Sequence, residues 1–137
     1  MFHKLLHKIK SIFCLKHIKL NDSVEVNTAS KKAIDDYSFP AVLLSDKPPH
    51  NILYVNKKYT KLTNYTLEDV YMKLPHVFYD GTLQECEVKT IIELIEKNEV
   101  WSGVIKLKTK RKRYIKIHIV FFSIISNGQR YLVAIFK

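Results

Sequence analysis

The sequence predicts an α+β fold, in which a five-stranded antiparallel sheet carries short helices on one face and follows an N-terminal amphipathic helix. Two short strand patterns come first, a block of helical periodicity follows, and three strand patterns close the chain, an order typical of α+β domains. Asn127 and Gly128 separate the last two strand patterns, and this pair is a strong signal for an antiparallel hairpin. The length of 137 residues is usual for one domain.

The first two strands are predicted at 41–44 and 51–55. Residues 41–44 are a continuous apolar run, which is typical of a buried strand. Pro48 and Pro49 lie between the two runs, and because proline cannot donate to a sheet ladder, 46–50 is predicted to be a turn. The two strands therefore form a predicted hairpin. Asn56 closes it, since its amide can bond the backbone of the following turn.

Helical patterns fill the middle of the chain. Residues 57–79 have short helical character, and the stretch from Thr66 to Asp69 resembles a capping box that starts a short helix through Met72. Pro75 ends this region. Residues 83–97 predict a longer helix with an apolar stripe formed by Val88, Ile91, Ile92 and Ile95.

The last three strands are predicted at 100–108, 113–122 and 131–136, with a turn at 125–128. The final strand is apolar on both faces, with Leu132, Ala134 and Phe136 on one and Tyr131, Val133 and Ile135 on the other. The intervening helices can cover only one face of such a sheet. The other face therefore needs a cover, for which the N-terminal segment or a partner chain is the candidate.

The chain divides into three predicted segments. Residues 1–20 form a basic amphipathic helix, residues 21–38 form a linker with a short helix over 29–37 capped by Thr28 or Ser30, and residues 39–137 form the domain. Three interpretations of the helix over 1–20 stay open. It covers the outer sheet face or pairs two subunits, it lies on an anionic membrane surface, or it docks in a groove of a partner protein.

The formal net charge of +10 is concentrated in two places. Residues 1–20 hold five lysines and no acid, and residues 106–116 hold seven basic residues and no acid. The predicted hairpin at 106–113 suits nucleic-acid phosphates. However, no aromatic residue is interleaved at its tip and no helix presents it to a groove, so the sequence favours a solvated tip over a nucleic-acid partner.

Several classes of function lack their motifs. Cys14 and Cys86 lie far apart without metal-ligand spacing, which predicts two reduced thiols in a cytoplasmic protein. The sequence has no glycine-rich phosphate loop and no nucleophile–base motif, so we do not expect an enzyme. No apolar run is long enough to span a membrane.

Several short segments stand in a characteristic order and spacing. They are Ile52-Leu53-Tyr54-Val55-Asn56, Tyr59, Leu62-Thr63-Asn64-Tyr65, Leu67-Glu68-Asp69-Val70, Lys73-Leu74-Pro75, Trp101-Ser102-Gly103 and the two final strands. With these segments, residues 39–137 resemble a PAS domain. Asn64 stands where the family often has glycine, and Met72 replaces another common glycine. Gly103, within a strand, is expected to permit the close approach of a helix or a ligand.

The resemblance implies a space between the long helix and the inner sheet face that holds a ligand, a redox cofactor or nothing. Its expected lining residues are Ile52, Tyr54, His76, Phe78, Ile91, Trp101, Ile105, Ile117 and Phe121. Pro75, His76 and Trp101 match aerotaxis-type members that bind FAD, but residues 78–81 do not match the rest of that pattern. The flavin-photosensor subgroup carries an Asn-Cys-Arg stretch that residues 74–80 lack, and 83–97 hold no histidine for haem. The cofactor is therefore open, with FAD as a candidate and haem disfavoured.

The resemblance also implies a function. We expect a stand-alone sensory adaptor that responds to a small ligand or redox state and signals through protein contacts. Its expected partners are a histidine kinase, a chemoreceptor or a second copy in a homodimer. The alternatives are a basic nucleic-acid-binding regulator and a protein held at the inner membrane face by residues 1–20.

Overall fold

The computed structural model describes residues 26–75, 83 and 85–137. The predicted helix over 1–20 lies outside these residues, as do Cys14, His76 and Phe78. The elements in chain order are α1 (Thr28–Asp35), β1 (Ala41–Ser45), β2 (Ile52–Val55), α2 (Lys57–Thr63), α3 (Leu67–Val70), α4 (Glu85–Glu96), β3 (Trp101–Lys108), β4 (Tyr114–Ser126) and β5 (Gln129–Phe136).

The five strands form one sheet in the order β2-β1-β5-β4-β3, and every neighbouring pair is antiparallel. The predicted α+β fold with a five-stranded antiparallel sheet is confirmed. The last strand, β5, lies at the centre, where it pairs with both β1 and β4. Its two faces enter different cores, with Leu132, Ala134 and Phe136 in an inner cluster and Tyr131, Val133 and Ile135 in an outer cluster.

The hairpin of β1 and β2 contains an irregularity that the sequence did not predict. Leu43 pairs with Tyr54 but Leu44 pairs with Ile52, so Leu53 is an extra residue in β2. A bulge of this kind breaks the alternation of side chains. As a result Ile52 joins the inner cluster, whereas Leu53 belongs to the outer cluster and Tyr54 packs against it.

Two short helices follow on the inner side. Asn56 caps α2 by accepting a hydrogen bond from Tyr59 N, and Asn64 ends it in the left-handed region at φ 65°. Thr66 and Asp69 form the predicted capping box of α3. The predicted extension through Met72 is wrong: α3 ends at Val70, because Met72 itself has a left-handed φ of 62° that a helix cannot include.

The longer helix α4 packs its predicted stripe onto the inner sheet face. Val88, Ile91 and Ile95 are buried, and Ile92 is partly buried against the same cluster. Burial of a side chain of this size contributes about 1.5–3 kcal/mol. Helix α4 begins at Glu85 and not at 83, and Leu83 is buried ahead of it.

The hairpin of β4 and β5 is longer than predicted. β4 runs to Ser126, which pairs with Gln129, so the turn consists of Asn127 and Gly128 alone. Both turn residues have positive φ, at 50° and 75°, which this residue pair tolerates well. The predicted four-residue turn is wrong, because a two-residue turn continues the strand twist without a break.

Helix α1 covers the part of the outer sheet face that β1 and β2 form. Ile34 is fully buried in the outer cluster, among side chains of β1, β2 and β5. The predicted capping by Thr28 or Ser30 is wrong, since Asn27 accepts the hydrogen bond from Ser30 N at 2.8 Å. Ser30 is instead buried, and its hydroxyl donates to Ser126 Oγ at 2.7 Å. The required cover therefore comes, at least over this part of the sheet, from the segment predicted as a linker.

Candidate functional site

The inner face of the sheet encloses a small apolar cavity of about 20 Å³. Side chains from all five strands and from α2 surround it, together with Pro75. A space of this size holds about one water molecule. Its lining residues are Val42, Leu44, Ile52, Tyr59, Pro75, Leu107, Ile119, Phe121, Ala134 and Phe136.

The structure brings most of the predicted site residues together. Ile52 and Phe121 line the cavity. Ile91, Trp101 and Ile105 are buried in the same inner cluster, and Ile117 is partly buried against it. Tyr54 does not join them. It lies on the opposite face of the sheet because the bulge at Leu53 shifts the alternation by one residue.

Trp101 fills the space beside Gly103. The Trp101 ring lies 5.8 Å from the Phe121 ring, centroid to centroid. A Cβ at position 103 would stand 2.8 Å from two atoms of the indole, closer than such contacts normally come. Gly103 therefore admits the indole of its own strand, where the sequence interpretation expected a helix or a ligand.

Tyr54 instead attaches α1 to the edge strand β2. Its hydroxyl donates to the Asp35 carboxylate, 3.0 Å from each oxygen, and Lys31 Nζ lies 5.9 Å from the ring centroid. Partial burial and the hydrogen bond to Asp35 raise the pKa of Tyr54. The tyrosine thus remains a neutral donor that holds the covering helix in place.

Asn56 links the inner and outer sides of the sheet through four hydrogen bonds. Its Oδ1 accepts from Ala41 N at 3.0 Å and from Tyr59 N at 2.9 Å. Its Nδ2 donates to Ile34 O at 3.1 Å and to Phe39 O at 3.0 Å. One buried amide therefore joins the end of α1, the start of β1 and the start of α2. The sequence predicted only the bond to the following turn.

Arg130 joins the end of α4 to the sheet. Its guanidinium forms an ion pair with Asp46 in the β1–β2 turn, and donates to Asn98 Oδ1 at 2.6 Å and to Ile95 O at 2.7 Å. In the same turn His50 Nδ1 lies 3.0 Å from Ser45 O, and burial lowers the pKa of His50. The sequence did not predict this role of Arg130, because a charged residue beside a hairpin turn is usually exposed to solvent and nothing in the sequence sets this one apart.

The inner cavity does not fit a flavin within the part of the chain that the structure describes. A cavity for one water cannot admit a three-ring isoalloxazine, and ligand pockets are usually larger by an order of magnitude. Tyr59 is the one polar side chain among its lining residues, so donors and acceptors for the polar edge of the ring are missing there.

Residues 26–75, 83 and 85–137 lack both a cluster of metal ligands and a membrane-spanning helix. They contain no group of three or more histidine, cysteine or carboxylate side chains that could hold a metal ion. They also contain no helix with the length and apolar character needed to cross a membrane.

The fold is similar to solved structures of light-oxygen-voltage (LOV) domains. A LOV protein from Rhodobacter sphaeroides matches with a TM-score of 0.68 and 10% identity, over 78% of this chain and 63% of that one. The LOV domain of a blue-light activated histidine kinase from Erythrobacter litoralis matches with a TM-score of 0.63 and 16% identity, over 74% of this chain and 95% of that domain. An RNA-binding LOV receptor matches with a TM-score of 0.67 and 14% identity, over 84% of this chain and 34% of that one.

The match to these proteins lies in the fold and hardly in the sequence. No protein-family model and no curated protein matches the sequence. The chain spans less than two thirds of the Rhodobacter protein and about a third of the RNA-binding receptor. LOV domains are a subfamily of PAS domains. The chain therefore has the fold of a PAS domain.

Proposed function

We propose that this chain is a sensory PAS module, which holds a small apolar ligand against the inner sheet face and signals through the outer face to a partner protein. The observation that carries the proposal is the double burial of β5. Ala134 and Phe136 line the inner cavity, while Val133 and Ile135 lie in the outer cluster together with Ile34 of α1. A change in packing at the cavity thus acts on a strand that also belongs to the outer cluster.

The size and polarity of the cavity favour a small apolar ligand over FAD. The cavity must widen even for one aromatic ring. Trp101, Ile105 and Ile91 are the side chains that would contact a ligand extending from the cavity towards α4. No catalytic step is part of this proposal.

A signalling protein is the proposed partner. One solved relative in fold is part of a blue-light activated histidine kinase, which favours a histidine kinase as the partner class. A chemoreceptor or a second copy of the chain would use the same outer face. Binding would shift the balance between covered and uncovered forms of that face.

Benzene is a suitable probe of the inner site, because it has one apolar ring and no polar group. We expect millimolar benzene to shift the methyl NMR signals of Val42, Leu44 and Leu107 in the full chain. Ala134→Leu would fill the cavity and abolish these shifts. Ala29→Leu adds the same atoms to an exposed position of α1 and would leave them unchanged.

Two results would contradict the proposal. If benzene leaves the methyl signals unchanged, the inner face is a closed core and the chain holds no apolar ligand there. If the freshly purified protein shows flavin absorption, the inner space opens far wider than the structure has it, and the ligand class proposed here is wrong.

A further inference from the structure

The β3–β4 hairpin carries the strongest charge of the described chain. Its basic face, as we call it, consists of Lys106, Lys108, Tyr114 and Lys116 on the outer side of the two strands, together with Arg111, Lys112 and Arg113 in the turn. Residues 106–116 contain seven basic side chains and no acidic one. Ile105 and Leu107 alternate with these lysines and are buried on the inner side.

The strand register places like charges directly opposite each other. Lys106 pairs with Lys116, and Lys108 pairs with Tyr114. Lysines that face each other across a strand pair repel, which weakens the sheet at this point. This pairing of like charges does not stabilise the fold. Residues that lower the local stability of a fold are expected at surfaces that bind a partner.

Among the described residues, no carboxylate forms an ion pair with the charges of the basic face. Lys110, which is not part of the face, forms an ion pair with Asp69 at 2.9 Å. In the described ranges none of the other six basic residues of 106–116 forms an ion pair. The face therefore presents a concentrated positive potential to solvent.

The turn that holds this face is fixed to the body of the domain. Lys110 N donates to Thr63 O at 2.8 Å, at the end of α2. Thr109 is 4% exposed, and Arg113 N donates to its side chain at 3.2 Å. The charged groups thus extend from a rigid backbone, which lowers the entropy lost when they bind.

An exposed aromatic ring lies among the lysines. Tyr114 is 57% exposed, and Lys108 Nζ lies 5.8 Å from its ring centroid. The linear sequence around 106–113 lacked an interleaved aromatic, but strand pairing brings Tyr114 beside Lys108 and His118 beside Val104 on the same side. A sheet face on which cations alternate with an exposed aromatic ring suits single-stranded nucleic acid, because the cations bind phosphates and the ring stacks on an unstacked base.

We propose that the basic face binds single-stranded nucleic acid, with Lys106, Lys116 and the turn residues on phosphates and Tyr114 stacked on a base. A duplex fits less well, because its bases are already stacked on one another and leave no free base face for the exposed Tyr114 ring. A membrane surface fits less well, because Val104 is the one exposed large aliphatic side chain beside the face, and so too few apolar groups could insert. This inference does not depend on a ligand in the inner cavity.

Fluorescence anisotropy with a labelled oligothymidylate tests the proposal in the full chain. Each phosphate contact contributes about 0.7 to the salt dependence of log affinity for single strands, so Lys106→Gln/Lys116→Gln is expected to lower that slope by about 1.4 and the affinity more than about tenfold. The matched control is Lys32→Gln/Lys73→Gln, which removes the same charge near β2, at the opposite edge of the sheet, and is expected to change the affinity less than about twofold.

Tyr114→Leu separates base stacking from simple charge attraction. We expect it to weaken oligothymidylate binding at least about fivefold and to leave binding to heparin, which has no bases, unchanged. An equal effect on both ligands would overturn the proposal, as would equal effects of the two lysine pairs. The proposal would also be overturned if the protein bound phosphatidylserine vesicles through the hairpin lysines but did not bind the oligonucleotide. That result would assign the basic face to membranes.

Discussion

At the scale of single residues, Asn56 has the greatest structural consequence. It is 2% exposed, and all four of its hydrogen-bonding positions are occupied by backbone groups from three different segments. A buried amide that satisfies four backbone groups cannot be replaced by an apolar side chain without leaving those groups unpaired. The inner helix α2 and the outer helix α1 therefore share one anchor.

Asn56→Ala is expected to lower the free energy of unfolding by about 3 kcal/mol or more, because several buried backbone groups lose their partners. Chemical denaturation measures this loss. Asn27→Ala is a suitable control, since it removes a single capping bond from α1 and is expected to cost about 1 kcal/mol. Similar losses for the two variants would show that the four bonds of Asn56 are replaced by water.

Gly103 and Trp101 make a second prediction at this scale. Gly103→Ala would force the indole out of its position, and we expect a loss of about 1–3 kcal/mol together with a changed tryptophan emission spectrum. Trp101→Phe removes the part of the ring that collides. In that background Gly103→Ala should therefore cost much less, as a double-mutant cycle would measure. Additive losses would mean that the collision is not the cause.

At the scale of elements, the sequence predicted the existence and order of β1 to β5 and of α2 to α4, because these depend on hydrophobic periodicity. It could not predict the bulge at Leu53, because 51–55 has no alternation that would reveal an extra residue. The predicted position of Tyr54 on the inner sheet face was therefore wrong. The role of α1 was also missed, since its pattern is mostly polar and Ile34 is its one apolar side chain buried in the outer cluster.

The attachment of the basic hairpin to α3 has a measurable electrostatic signature. The hydrogen bond from Lys110 and, to a smaller extent, the hydrogen bond from Thr66 N lower the pKa of Asp69 to about 2. Because the folded pKa lies below that of an unfolded chain, this contact is complete above pH about 4 and is lost as the pH falls towards 2. The hairpin turn should loosen over the same range.

An NMR titration of the Asp69 carboxyl carbon tests this expectation. Lys110→Gln should raise the pKa of Asp69 towards the ordinary aspartate value. Lys112→Gln removes the same charge from the same turn without touching Asp69, and should leave its pKa nearly unchanged. An equal rise in both variants would mean that the general field of the hairpin, and not the contact with Lys110, controls this carboxyl group.

At the scale of the whole molecule, the sheet separates two cores of unequal kind. The inner cluster is covered by α2, α3 and α4, and Arg130 ties the end of α4 to the β1–β2 turn. The outer cluster is covered in part by α1, whose contacts include the burial of Ile34, the Ser30–Ser126, Tyr54–Asp35 and Asn56–Ile34 hydrogen bonds and the Lys31–Tyr54 ring contact. Fewer contacts hold the outer cover, so it should open at a lower free energy than the inner side.

Hydrogen exchange can show whether the outer cover opens by itself. Ile34→Ala removes the buried anchor of α1, a change that costs about 2–5 kcal/mol in a packed core. We expect the amides of α1 to exchange at least about tenfold faster, while those of α4 change little, because the opening is local. Ile91→Ala removes an equal volume from the inner cluster and should accelerate exchange in both helices through global unfolding. If Ile34→Ala accelerates α1 and α4 alike, the two cores form a single cooperative unit. In that case a partner could reach the part of the outer face beneath α1 only when the whole domain unfolds, and signalling through that part of the face would be excluded.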